Sequence, residues 1–208
     1  MVTKAEKQGD GAFRLEDDKE LMQEFTYSGA LSFCRRRYSR DLESIDVVVS
    51  GIPYDNAVTN RPGTRFGPRA IRAASSQLAE LPHFPYGFEP FRHLSVIDYG
   101  DCEIDSHQPA SVFDAIEQHA DRILRSNAKM VSLGGDHSIT YPLLKAHAKK
   151  YGPITLIQFD AHCDTWSDDG MRFDHGTMFA RAADEGIIDV TKSSQIGLRT
   201  YNDTNYGF

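Results

Sequence analysis

The segment ITLIQFDAHCD, residues 154–164, combines an almost continuous apolar run with a polar end. Continuous apolar runs are typical of parallel strands that are covered on both faces, because no residue of such a strand then faces water. The polar end places Asp160, His162 and Asp164 directly after the run, and alternate residues of an extended chain point to the same side. We therefore expect a buried strand with these three side chains at its carboxyl end.

Four further apolar runs and four helical patterns alternate along the chain. The predicted strands are residues 46–51, 94–98, 129–134, 154–159 and 195–198. The first predicted helix begins after Gly67-Pro68 and has Ile71, Ala74, Leu78 and Leu81 on its buried face. The second begins at a capping box formed by Ser111 and Asp114 and continues to Leu124. The third runs from about Ile139 to Tyr151, and the fourth from Thr177 to Glu185. This alternation predicts right-handed crossovers and a parallel sheet of the α/β class. In such sheets, functional residues gather at the carboxyl ends of the strands.

The segment DAHCD, residues 160–164, has the composition of a metal site. In an extended chain, its three polar side chains would follow one another at about 6–7 Å. Two carboxylates this close resist ionising together unless a cation lies between them. Carboxylate oxygens with one imidazole suit Mn²⁺ and, less specifically, Zn²⁺, Fe²⁺ or Ni²⁺. We predict that Asp160, His162 and Asp164 bind metal; the alternative is an acidic turn with a surface histidine.

Two other histidines follow strands or loops that lead to the same region. His137, in the segment GGDHS of residues 134–138, comes directly after an apolar run, and the two glycines allow close approach of the backbone. It is predicted to be a fourth ligand, with a structural turn as the alternative, and Ser138 is expected to cap the next helix. His175, in the segment DHGT of residues 174–177, is predicted to transfer a proton, because histidine titrates near neutrality.

The net charge and the composition indicate which kinds of molecule the protein can bind. The 208 residues carry 23 Lys and Arg against 30 Asp and Glu, a net charge of −7, which would repel nucleic acid and attract a small cationic substrate. Arg35, Arg36, Arg37 and Arg40 are expected on a solvated face or at a subunit contact. No segment approaches the roughly 18 apolar residues of a membrane helix, and the charged residues 1–20 lack the apolar core of a secretory signal, so we predict a cytoplasmic protein without membrane contact.

The segments 134–138, 160–164 and 174–177, in this order, resemble the ureohydrolase family of arginases and agmatinases. Residues 60–72, 98–101 and 195–200 are also similar to agmatinases, which the sequence resembles most. The resemblance implies a three-layer α/β/α fold with a parallel sheet, as in arginases and deacetylases, and a binuclear Mn²⁺ centre. It also implies homo-oligomers, trimers or hexamers, and hydrolysis of a guanidinium group to urea and an amine.

The resemblance also implies a role for each site residue. His137 and Asp164 would bind one metal ion, His162 would bind the other, and Asp160 would bridge them, while His175 would move a proton or orient the substrate. A guanidinium carbon is a poor electrophile because its charge is delocalised, and two metal ions can lower the pKa of a bridging water to give hydroxide at neutral pH. The ions can stabilise the tetrahedral adduct formed by attack of this hydroxide, and a histidine can protonate the leaving amine.

The loop TWSDDGMRFDH, residues 165–175, bears on the substrate. By the resemblance, arginases carry here a Ser- and Asn-rich run that holds the carboxylate and amine of arginine, whereas this loop is acidic. Acidic side chains disfavour a substrate carboxylate and favour a second cation. We therefore predict that agmatine is hydrolysed to putrescine and urea, a step of polyamine biosynthesis. Guanidinobutyrate, which has a carboxylate, fits less well.

One part of the family pattern is missing. The family has a later D-x-D motif with two more metal ligands, then a glutamate that holds the guanidinium, and no residue after Gly197 supplies either. We interpret residues 1–25 as a polar N-terminal arm and residues 26–208 as the N-terminal two-thirds of one ureohydrolase domain, truncated at the C-terminus. Three ligands then remain for one ion and two for the other, and the 208 residues alone are expected to release no urea.

Two other interpretations stay open. In the first, the chain is a non-catalytic fragment that assembles with full-length subunits. In the second, it belongs to a metal-dependent hydrolase of another amidine, such as guanidinobutyrate, guanidine or formiminoglutamate.

Overall fold

The computed structural model describes residues 25–79, 82–167 and 174–201. Its strands and helices alternate as the sequence predicts, which confirms the α/β class, with small shifts at the ends of the elements. In chain order, the elements are β1 (Val47–Ile52), α1 (Gly67–Ser75), β2 (Val96–Asp101), α2 (Pro109–Leu124), β3 (Lys129–Gly134), α3 (Thr140–Tyr151), β4 (Ile157–Phe159), α4 (Met178–Asp184) and β5 (Ser194–Ile196).

Some predictions fall outside the described residues. Among them are the N-terminal arm up to residue 24, Leu81 on the predicted face of the first helix, and residues 168–173 of the acidic loop. Within the described part of the chain, no helix has both the length and the apolarity needed to cross a membrane. The chain divides into two compact units, and the predicted single domain of residues 26–208 stays a prediction.

The first unit is built around β1 and β2. Of the described residues, it comprises 25–53, 66–79, 82–102 and 123–133. Its strands lie in the order β2-β1-β3, and β1 pairs in parallel with β2, with Val48 opposite Ile97. Both strands are buried along nearly their whole length, as their apolar runs predict. One core cluster consists of Ile45, Val48, Ile97, Tyr99, Ile123 and Ala128.

The buried face of α1 differs from the predicted one. Ile71 is 40% exposed, whereas Arg72 is buried, and Leu78, which lies in a 3-10 turn after the end of α1, is 59% exposed. The guanidinium of Arg72 donates to the carboxylates of Asp98 and Asp101 in β2 at 2.6–3.0 Å. The prediction from apolar periodicity was therefore wrong, because ion pairing turns this helix with its arginine toward the sheet.

The arginine cluster also lies differently from the prediction. Arg35 and Arg36 are buried, with 1% and 4% exposure. The guanidinium of Arg35 donates to the backbone carbonyls of Phe25 and Ser28, and that of Arg36 lies 4.2 Å from the ring centroid of Phe91. The expected solvated or subunit-contact face was wrong for these two residues, because both guanidinium groups are used inside the unit.

The second unit contains most of α2 together with α3, α4, β4 and β5. Of the described residues, it comprises 54–65, 103–122, 134–167 and 174–201. The strands β4 and β5 form a parallel pair in which Gln158 lies opposite Gln195. Just after α4, the carboxylate of Glu185 accepts a hydrogen bond from the hydroxyl of Tyr141 in α3 at 2.7 Å, which ties the two helices together.

Two predictions about the second unit were wrong. Because α2 begins at Pro109, Ser111 lies inside its first turn, and its hydroxyl donates to the carbonyl of Gln108 at 2.9 Å and does not cap the helix. In β4, Ile157 and Phe159 are 63% and 78% exposed. An apolar run leads to burial only where another layer covers it, and no layer of described residues covers this face of β4.

Candidate metal centre

Three of the predicted ligands converge in the second unit. The imidazole Nδ1 of His137 lies 2.8 Å from Oδ2 of Asp164 and 3.5 Å from Oδ2 of Asp160. One ligand atom from each side chain can be chosen so that all three lie within 4.8 Å of one another. The side chains of His137 and Asp160 are 35% and 26% exposed, so an ion from solvent can reach them.

The segment of residues 160–164 reaches this position through a turn. Strand β4 ends at Phe159, the amide of His162 donates to Oδ1 of Asp160 at 2.8 Å, and Asp164 has a left-handed backbone with a φ of 52°. The prediction that the alternation of an extended chain gathers all three side chains was therefore wrong. The turn brings both carboxylates to His137 and leaves His162, which is 63% exposed, outside the converging group.

Asp160 lies between two imidazoles. Its Oδ2 faces Nδ1 of His137, and its Oδ1 lies 3.2 Å from Nδ1 of His162. Burial by itself would raise the pKa of Asp160, but the hydrogen bond from the amide of His162 and the charges of both imidazoles lower that pKa below its ordinary value. The carboxylate is therefore kept in the ionised form that binds cations.

His137 is placed by the turn that follows β3. It begins a single 3-10 turn, His137–Ile139, in which the carboxylate of Asp136 accepts the amide of Ser138 at 2.9 Å and also the hydroxyl of Ser138. The capping residue is thus Asp136, and the expectation that Ser138 caps the helix was wrong. The ring of His137 packs edge-on against Phe179 at a centroid distance of 5.5 Å, which fixes the plane of the imidazole.

Two glutamines that bind the backbone of the ligand segment, residues 160–164, were not predicted from the sequence. The side-chain amide of Gln158 donates to the carbonyl of His162 at 3.2 Å, and that of Gln195 donates to the carbonyl of Cys163 at 2.6 Å. The pair ties the backbone of the ligand segment to β4 and β5. Gln158 interrupts the apolar run that forms β4, and this was the signal that could have identified it, whereas Gln195 follows Ser193 and Ser194 and carries no such signal.

His175 is not a member of the converging group. It is partly buried in the turn that leads into α4, beside Asp174, whose carboxylate accepts the amide of Gly176 at 2.6 Å. Residues 168–173, and with them much of the acidic loop from which the substrate was predicted, lie outside the described part of the chain. The proton-transfer role of His175 stays a prediction.

The converging side chains suit a divalent transition metal. They offer carboxylate oxygens and one imidazole nitrogen, a donor set that fits Mn²⁺. Asp160 and Asp164 both direct Oδ2 at the same imidazole nitrogen, and two carboxylates that approach each other in this way are stabilised by a cation. The residues present therefore fit such an ion.

Comparisons with family models, curated proteins and solved structures agree with one another. Residues 45–208 match the model of the Arginase family. The chain is 58% identical over 201 residues to an agmatinase of Chromobacterium violaceum, a match that covers 96% of this chain and 62% of that protein. The crystal structure of a hypothetical agmatinase from Burkholderia thailandensis is similar with a TM-score of 0.88 at 59% identity, covering 94% of this chain and 62% of that one.

A more distant solved structure has the same fold. The proclavaminate amidinohydrolase of Streptomyces clavuligerus is similar with a TM-score of 0.78 at 33% identity, covering 88% of this chain and 61% of that one. In each of these comparisons, the chain spans about three-fifths of the length of the relative it matches.

Proposed function

Because this chain belongs to the arginase family, we propose that the whole protein is a metal-dependent ureohydrolase that converts agmatine to putrescine and urea. Family membership confirms the predicted resemblance, and the likeness to solved structures confirms the arginase-like α/β fold. Two of its relatives, 58% and 43% identical to this chain, are named agmatinase, which supports agmatine as the substrate. Since the chain spans about three-fifths of their length, the activity is proposed for the whole protein.

The observation that carries this proposal is the convergence of His137, Asp160 and Asp164. We propose His137 and Asp164 as ligands of one Mn²⁺ and His162 as a ligand of a second. Asp160 is proposed to bridge the two ions, because its two oxygens face different imidazoles.

The residues of this chain have separable tasks in the proposed reaction. When bound, Mn²⁺ would supply the Lewis acidity that makes a nucleophile from water at neutral pH. The lowered pKa of Asp160 keeps that carboxylate ionised and ready to hold cations. The net charge of −7 attracts a cationic guanidinium. His175 is proposed to protonate the leaving amine, which must gain a proton as its bond to carbon breaks.

We expect the intact protein, as its gene encodes it, to prefer agmatine over arginine and guanidinobutyrate by at least about tenfold in kcat/KM. The acidic loop of residues 165–175 repels a substrate carboxylate, and juxtaposed like charges cost several kcal/mol. Urea release from the three substrates, measured with Mn²⁺ present, checks this. Equal or faster release from arginine would contradict agmatine as the substrate, and preference for guanidinobutyrate would favour the alternative prediction.

The partners and the location of the protein are proposed on the same basis. We propose a homo-oligomer, trimer or hexamer, that acts on a small cationic substrate in the cytoplasm and contributes to polyamine biosynthesis. These proposals rest on the likeness to agmatinases and on the charge of the chain.

A further inference from the structure

A loop of the second unit, residues 54–65, is hydrogen-bonded to the turn that carries His137. The amide of Asp136 donates to the carbonyl of Tyr54 at 2.8 Å, and Oδ2 of Asp136 accepts the amide of Ala57 at 3.0 Å. Asp136 is 4% exposed, so these bonds are largely shielded from water. Leaving a buried carboxylate without such a donor costs free energy. These hydrogen bonds therefore hold the loop and the turn together more strongly than hydrogen bonds at the surface would.

The same loop is closed on itself by Asp55. The fully buried carboxylate of Asp55 accepts the amides of Gly63 at 2.7 Å and Arg65 at 3.2 Å and pairs with the guanidinium of Arg65. The hydrogen bond from the Arg65 side chain is the main cause that lowers the pKa of Asp55, so this carboxylate stays charged. Near the end of the loop, the carbonyl of Thr64 accepts the amide of Gly135 at 3.3 Å, a second bond to the turn.

We propose that Asp136 is a positioning residue that couples the metal site to the loop of residues 54–65. Its Oδ1 accepts bonds from Ser138, which fix the turn that directs His137, and its Oδ2 accepts the bond from Ala57, which fixes the loop. An ion bound by His137 would hold the turn in place and thereby stabilise the loop. Linkage is reciprocal, so loosening the loop weakens binding of the ion by the same factor. The inference rests on the proposed metal site.

Hydrogen exchange measured by mass spectrometry on the intact protein tests this coupling. In the unaltered protein, saturating Mn²⁺ is expected to slow exchange of the amides of Ala57, Gly63 and Arg65 by about 5- to 150-fold, the usual range for coupled sites. In Asp136→Asn, one carboxylate oxygen becomes an amide group that accepts no hydrogen bond. We expect faster exchange without Mn²⁺, no slowing when Mn²⁺ is added, and Mn²⁺ affinity reduced by about 10- to 100-fold, as for other residues that orient metal ligands.

Two further variants make the test decisive. Asp189→Asn is the matched control: Asp189 accepts the amide and hydroxyl of Thr191 as Asp136 accepts those of Ser138, but its bonds lie within residues 154–193. It is expected to leave loop exchange and Mn²⁺ affinity unchanged. Asp55→Asn removes the charge that closes the loop and changes no residue of the turn. Because linkage is reciprocal, it is expected to weaken Mn²⁺ binding by the same factor by which Mn²⁺ slows exchange of the loop amides in the unaltered protein. This variant carries the test if Asp136→Asn does not fold.

The outcomes separate the coupling from the proposed function. If the unaltered protein binds Mn²⁺ but loop exchange does not change, or if Asp55→Asn binds Mn²⁺ with unaltered affinity, the coupling is wrong and the proposed function stands. If the unaltered protein binds no Mn²⁺, both are overturned.

Discussion

His137→Ala is expected to weaken Mn²⁺ binding by at least about 100-fold and to abolish urea release from agmatine. The imidazole of His137 is the group that both Asp160 and Asp164 approach, at 3.5 and 2.8 Å. Loss of a residue that only orients a metal ligand costs roughly 10–100-fold in affinity, so loss of a ligand should cost at least the upper end of that range. Titration calorimetry with Mn²⁺ and a urea assay on the intact protein measure the two effects.

His107→Ala is the matched control for this variant. Nδ1 of His107 also lies close to a carboxylate, 3.2 Å from that of Asp105, but its side chain is 94% exposed and is not part of the converging group. We expect both measurements to remain at the level of the unaltered protein. If His137→Ala bound Mn²⁺ with undiminished affinity, the converging side chains would not form a metal site, and the proposed function would lose the observation that carries it.

The order of the elements and the meeting of His137 with Asp160 could be predicted because both depend on simple patterns. Apolar runs and helical periodicity are local properties, so β1 and β2 are recognisable from Val, Ile and Leu alone. His137 and Asp160 each follow a predicted strand, and the carboxyl ends of parallel strands collect functional residues. The convergence was therefore predictable although 23 positions separate residues 137 and 160.

Contacts between polar groups from distant parts of the chain could not be predicted in the same way. The burial of Arg35 depends on carbonyls of an irregular segment, and the orientation of α1 depends on Asp98 in another element. Such pairs leave no periodic signal, and an arginine is usually assigned to the surface. The left-handed backbone of Asp164 belongs to the same class, because a non-glycine residue at positive φ is held there by its surroundings.

Arg72→Ala is expected to lower the free energy of unfolding by about 3–5 kcal/mol, the usual cost of removing one partner of a buried ion pair. The side chains of Arg72 and Asp98 are 8% and 0% exposed. Burial alone would lower the pKa of Arg72, but its hydrogen bonds to Asp98 and Asp101 raise that pKa, so the guanidinium stays charged. Without it, Asp98 keeps the amides of Phe33 and Gly100 as donors, and its charge is left buried without a counterion from this helix. Denaturation with urea measures the loss.

Two comparison variants identify the cause of this loss. Arg69→Ala changes an exposed arginine of the same helix and is expected to alter stability by less than about 0.5 kcal/mol. Arg72→Met combined with Asp98→Asn removes both charges and should cost less than Arg72→Ala alone, since the penalty comes mainly from the uncompensated carboxylate. Equal stability of the Arg72→Ala and Arg69→Ala variants would mean that the ion pair does not orient α1. The exposure of Ile71 argues against that outcome, because it leaves Arg72 as the principal long side chain that α1 directs to the sheet.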